Sequence, residues 1–333
     1  EHSQIMNNYI CRRDPFTVLY NRLTRTLESS FALNTSIAGS GGVSVSLGQA
    51  RYGVSALFEN CTFVNNSALY HNAAMNVLLY NVTQGSNVVI QNCSFYKNGG
   101  LFYNPSNRVF PSNGIDPFGA LGIAFFTPIP EEYSNSRTDL YGFQPDSSNV
   151  LIQNCTFRKN RALSAGGLLI FSFTSTTQFI DNVITVRDCM IQDNYGEFGS
   201  GLYITELSYS GFESRLTILM DSIVIENNGP LSTEVVTIAE FDTRSAADLS
   251  NVQVNFIGNN SFLQNRMTAM YTRNSVLKMS GFVLFSQNAG INGGALHMER
   301  ESYVVLVNKT DLTFLENHAV VVGGAIFVDF RTA

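Results

Sequence analysis

The tetrad Phe-x-x-Asn recurs along this chain, and a doublet of small residues followed by an apolar residue comes soon after it. Phe31-Ala32-Leu33-Asn34 leads to Gly41-Gly42-Val43, and Phe157-Arg158-Lys159-Asn160 leads to Gly166-Gly167-Leu168. Phe285 to Asn288 leads to Gly293-Gly294-Ala295, and Phe314 to Asn317 leads to Gly323-Gly324-Ala325. A repeat of about thirty residues means one supersecondary unit stacked many times, each burying its apolar face against its neighbours. A stack of that kind leaves little room for a buried small-molecule site.

The 333 residues would allow two ordinary domains, but a solenoid escapes that length rule. A hydrophobic share of 44% supplies a core, and a charged share of only 14% leaves little of the structure to ion pairs. With a net charge of −6 and no Lys/Arg cluster, nucleic acid is not an expected partner, nor is a polybasic membrane contact. No apolar run of about eighteen residues is present, so no transmembrane segment is expected. The chain opens at Glu1 with neither Met nor a signal-type apolar stretch, and it reads as a portion of a longer product.

The segment Val88-Val89-Ile90-Gln91-Asn92-Cys93-Ser94-Phe95 shows the local grammar. Val88 and Ile90 share one strand face by period two, and Cys93 and Phe95 share a face out of phase with it. The phase breaks at Gln91-Asn92, which predicts a corner with Asn92 as its left-handed residue. The same grammar recurs at Asn60 and Asn154, with Asp188 in a variant. A second corner is expected at the Phe-x-x-Asn asparagine, and a third strand after the small doublet. Three short strands per turn with no helical pattern describe an all-β parallel β-helix.

The tetrad asparagines are Asn34, Asn66, Asn98, Asn160, Asn194, Asn228, Asn265, Asn288 and Asn317, with Ile191 and Ile225 replacing Phe in two. They predict a single domain of nine to ten coils over 1–333, forming a rod of roughly 40 Å. Asn98 and Asn160 are 62 residues apart, read as one coil with two excursions near 99–118 and 127–148, where prolines collect because they cannot sit in an interior ladder. Phe31, Phe63, Phe95 and Phe157 should stack in one interior column, resumed by Phe262, Phe285 and Phe314.

The doublet together with Phe-x-x-Asn resembles the repeat of the chlamydial polymorphic outer-membrane proteins, and related repeats occur in large extracellular β-helix proteins of eukaryotes. The likeness runs from about residue 31 onward, and the doublet becomes Ala73-Ala74, Ser200-Gly201 and Thr268-Ala269 in three coils. It implies a right-handed β-helix outside the cell, used for adhesion or as a structural spacer, with no catalytic residue set.

Cys61, Cys93, Cys155 and Cys189 share one interior slot, while Cys11 stands apart. Spacing at the repeat length is unlike a zinc site. Two readings stay open: a column of buried thiols, or the disulfides Cys61–Cys93 and Cys155–Cys189. Sequons fall at Asn34, Asn60, Asn65, Asn81, Asn92, Asn154, Asn259 and Asn308. Asn60, Asn92 and Asn154 are explained by the corner, which leaves Asn81, Asn308, Asn34, Asn65 and Asn259 as glycosylation candidates in a secreted product.

Glu206, Glu240, Glu299 and Asp329 align as an acidic stripe on the post-doublet strands, with Arg273 between them. The expected reading is a solvated strand end screened by Arg273 and Arg300; calcium bridging is the second. The four histidines (His2, His71, His297 and His318) are scattered without triad or metal spacing. No nucleophile elbow or phosphate loop occurs, so no enzyme and no cofactor are expected.

The leading expectation is a non-catalytic extracellular rod. The last coil ends at Arg331-Thr332-Ala333 without a cap, and open strand edges pair with more strands. Flanking coils or end-to-end copies forming a fibre are therefore expected. The alternative is a module binding carbohydrate or protein through the two excursions. A polysaccharide lyase or hydrolase comes third.

Overall fold

The computed structural model describes residues 3–6, 9–10, 42–48, 55–68, 73–80, 86–100, 119–126, 148–162, 165–174, 182–196, 198–208, 216–230, 244–307 and 309–329. Every regular element among them is a β-strand. One rung reads Asn149–Gln153, then Thr156–Arg158, then Leu168–Thr174. Each strand pairs in parallel and in register with its counterparts one rung below and one rung above. The result is three long sheets: a lead-in sheet of eight strands, a Phe sheet of nine and a post-doublet sheet of nine. This is a right-handed parallel β-helix.

Period-two burial explains the strands. In Asn87–Gln91 the side chains alternate, with Val88 and Ile90 fully buried. The corners follow from left-handed residues. Asn60, Asn92, Asn154 and Asp188 all have φ between 51° and 54°, where Asn and Asp lose least. Two rungs use Gly258 and Gly281 instead. The 62-residue interval is one rung, since Asn149–Gln153 pairs directly with Asn87–Gln91. The residues expected to form the two excursions, 101–118 and 127–147, lie outside the described residues. Gly99–Gly100 itself is a short strand paired with Ser67–Ala68, so the first excursion starts later than 99.

Three expectations need correction. The strand beside Cys61–Val64 is Ser3–Met6, with Ile5 opposite Phe63, so Phe31 is not its neighbour in the column. Ile5-Met6-Asn7-Asn8 is the apolar-x-x-Asn tetrad with Ile in the Phe slot, as at Ile191 and Ile225, and Phe31 and Asn34 lie outside the described residues. The doublets were also counted one residue out of phase. Register places Gly166-Gly167 against Ser200-Gly201, and Thr268-Ala269 against Gly294-Ala295 rather than Gly293-Gly294. Gly293 and Gly323 are extra left-handed residues with φ near 65°. Gly294 is required for space: a Cβ there would meet the His318 carbonyl oxygen at 2.3 Å and that of Gly324 at 2.5 Å.

The third correction concerns the second corner. The left-handed residue is the one before the tetrad asparagine: Asn65, Lys97, Lys159, Asp193, Asn227, Gln264, Gln287 and Glu316. That twist swings the asparagine itself into the interior.

Candidate functional site

The inward asparagines form a hydrogen-bonded ladder: Asn66, Asn98, Asn160, Asn194, Asn228, Asn265, Asn288 and Asn317. Each Nδ2 donates to the next Oδ1 at 2.9–3.2 Å. From Asn98 on, it also donates to the carbonyl of the Phe-slot residue one rung back, as Asn194 does to Phe157 O at 3.0 Å. Each Oδ1 further accepts the preceding asparagine's main-chain N–H at 2.9–3.1 Å. From Asn98 to Asn288 both N–H donors and both oxygen lone pairs of each side-chain amide are thus used, which is what a buried amide requires. Sequence reading placed a corner here and missed the ladder.

Beside it, Phe63, Phe95 and Phe157 stack at 4.7 and 4.8 Å, and Phe262, Phe285 and Phe314 at 4.7 and 5.2 Å. The cysteine column is present as four free thiols, with neither Cys61–Cys93 nor Cys155–Cys189 bonded; Cys11 lies outside the described residues. Each thiol donates to the carbonyl two residues before it, as Cys155 does to Gln153 O at 3.2 Å. Contact with the next cysteine raises the pKa most, against a smaller lowering from the previous one, and burial adds to it. Cys93 and Cys155 are pushed up to about 12, and Cys61 is raised as well. Thiols held protonated this way are poor nucleophiles and poor metal ligands.

Register separates the acidic stripe. Ser250, Arg273, Glu299 and Asp329 share one row, and Thr205 is the residue that meets Ser250. Glu206 therefore stands one position out and is buried; the miscounted doublet caused the error. Glu240 lies outside the described residues, and the post-doublet strand of its rung is Ser245–Ser250. Among the described residues no three His, Cys, Asp or Glu side chains are grouped to hold a metal. Of the sequon candidates, Asn65 and Asn259 are exposed, while Asn34, Asn81 and Asn308 lie outside the described residues.

The same sheet carries a polar cluster that the sequence reading passed over. Asp248, Tyr271, His297 and Phe327 sit side by side on successive rungs. They alternate with Met270 and Leu296, which belong to the core, so they face away from it; yet Asp248, Tyr271 and His297 are all buried. The His297 ring lies edge-on to Tyr271 at 5.1 Å and to Phe327 at 4.9 Å. Tyr271 donates its hydroxyl to Glu299 Oε2 at 2.7 Å, His297 Nε2 is 3.5 Å from Glu299 Oε1, and Ser250 donates to Asp248 at 3.1 Å. Loss of water is the main force on Asp248; Ser250 and Arg273 act against it and Glu299 with it, raising its carboxyl from 3.8 to about 7. Burial, then the bond to Glu299, keeps the Tyr271 phenol protonated well above its usual range. Spacings of 23 and 26 residues look random in sequence and become adjacency only through the rungs.

A carboxyl poised near neutrality can hold or pass a proton. It also makes stability depend on pH. The folded chain keeps the Asp248 proton to higher pH than the unfolded chain does, so this group's contribution falls as pH rises from 3.8 to about 7, by at most about 1.4 kcal/mol per pH unit. Asp248→Asn should therefore gain stability over the parent at pH 8 and little at pH 4, measured by urea denaturation. An equal effect at both values would contradict the assignment.

Ladders, stacks and parallel rungs define a solenoid protein of the parallel β-helix class. More particularly, the family described as the right-handed β-helix region matches residues 26–218, more than half of the chain, and the chain belongs to that family. Comparison with curated proteins and with solved structures returned no match. No helix long and apolar enough to cross a membrane occurs among the described residues.

Proposed function

We propose that the chain acts as a non-catalytic structural or adhesive rod outside the cell, in keeping with its resemblance to the polymorphic outer-membrane repeats. The asparagine ladder carries this reading. It runs through eight consecutive rungs and spends the interior polar groups on rung-to-rung bonding rather than on a ligand. The Asp248–Tyr271–His297 cluster is buried, so a polymeric substrate would not reach it as it stands. The exposed sequon residues Asn65 and Asn259 suit a secreted, glycosylated surface. Incubation with a broad polysaccharide panel, calcium present, should give no turnover; cleavage of any member would overturn the proposal.

A second reading, a carbohydrate- or protein-binding module, is favoured by one observation. Both excursions leave the same rung, at the two ends of the strand Leu121–Phe126. Deleting 101–118 and 127–147 while keeping the rungs should abolish ligand capture on that reading, and leave a spacer unchanged.

A further inference from the structure

One corner of the rod gathers positive charge that the chain as a whole lacks. Arg158 lies on the outer side of the Phe sheet, beside Tyr96 of the rung below. Lys97 and Lys159 are the left-handed residues that turn the corner next to them. Beyond the corner, Arg161 bridges to Gly99 on one side and to Tyr195 on the other. All four cations are exposed. Four of the chain's 20 Lys and Arg residues thus share two adjacent rungs, in a chain whose net charge is −6. Sequence reading found no basic cluster because the long rung separates Lys97 from its three companions.

The countercharge is small. Asp193, on the next rung, pairs with Arg158 at 3.1 Å and accepts from Asn227 Nδ2 at 2.6 Å. Among the described residues Lys97, Lys159 and Arg161 enter no ion pair. Two of them rest on rings instead: Lys97 Nζ is 5.1 Å from the centre of the Tyr96 ring, and the Arg161 guanidinium is 5.3 Å from that of Tyr195. A ring holds a cation in place without neutralising it. The fold does not ask for these charges, since Gln264 and Gln287 turn the same corner farther along.

We propose that this corner is a binding surface for an acidic polysaccharide, sulfated or carboxylated. The inference rests on the adhesive form of the proposed function and names what the rod adheres to. The band runs from Arg158 through Lys159 to Arg161 and follows the backbone around a bend. A single flexible anionic chain can wrap that bend, and the rung spacing of about 4.8 Å is close to the length of one sugar unit. A flat anionic membrane touches one side of the bend only, where Glu226 stands in the same row as Arg158. Duplex DNA calls for on the order of six to ten phosphate contacts, more than this band supplies.

The test uses the full chain, with heparin and polygalacturonate as sulfated and carboxylated probes, in biolayer interferometry. Binding of at least one probe should weaken about tenfold or more between roughly 50 and 200 mM salt. At the lower salt it should also weaken about tenfold or more in the triple variant Lys97→Gln, Lys159→Gln, Arg161→Gln. These side chains are exposed, so thermal unfolding of the variant should match the parent. Arg187→Gln removes an exposed cation at the other corner, already paired with Asp221 at 2.9 Å, and should leave binding unaltered. No binding of either probe, or equal binding by the triple variant, would overturn the proposal. Phosphatidylserine vesicles held by the parent and lost by the triple variant, with neither polysaccharide bound, would assign the corner to a lipid surface and overturn it as well. Cleavage of a bound probe would sink the non-catalytic reading and leave the surface standing, whereas absence of binding would sink the surface and leave a structural rod.

Discussion

Asn194→Leu should lower the unfolding free energy by about 4 kcal/mol or more, the largest effect expected of any near-isosteric change in this chain. The leucine fills the space, so no cavity contributes. What it removes is an acceptor for two buried donors, the main-chain N–H and Nδ2 of Asn160. It also removes a donor to Phe157 O and to Asn228 Oδ1. Each buried group left unpaired costs about 1–3 kcal/mol, and here the penalties fall on one site. Urea denaturation of the parent and the variant measures the difference. The exposed corner residue Asn154, which gives only a 3.3 Å bond to Asn92, should cost less than about 1 kcal/mol when changed to Gly, because Gly accepts the same left-handed backbone.

Phe157→Ala should cost about 3–5 kcal/mol, because the ring is fully buried and its removal leaves a cavity in a close-packed column. Phe157→Ile should cost far less, under about 2 kcal/mol. The next two rungs already hold Ile191 and Ile225 at that position, so the column accepts a branched aliphatic side chain stacked on an aromatic one. A comparable loss for Ile and Ala would mean that ring stacking rather than volume sets the stability of the column.

The tetrad, the corner asparagines and the cysteine slot were legible because each repeats at rung spacing and each carries a local signal, a phase break or a fixed residue type. The long rung between Asn98 and Asn160 was legible for the same reason: its prolines mark what cannot lie in the ladder. Three features were not. Ile5 hides the tetrad whose strand pairs with Cys61–Val64, because an isoleucine among apolar residues announces nothing. Gly293 and Gly294 look like the doublet of other rungs, but one of them is a left-handed turn residue, a matter of backbone angle that composition does not encode. That single slip misplaced the acidic stripe. The polar cluster of Asp248, Tyr271 and His297 escaped because its members meet only across the hydrogen bonds between rungs, and rung lengths vary from 23 to 62 residues. The ladder itself was half visible: the asparagines were seen, but whether such a residue turns the corner or points inward depends on which of two neighbours takes the positive φ.

The claim on which the rest stands is that the tetrad asparagines are interior ladder members. Hydrogen exchange of side-chain amides, followed by NMR on the intact chain, tests it directly. The Nδ2 protons of Asn160, Asn194 and Asn228 should exchange as slowly as the main-chain amides of the strands around them, while those of the exposed Asn259 should exchange within the dead time. Rapid exchange at all four asparagines would contradict the ladder, and with it the account of what holds the rungs together.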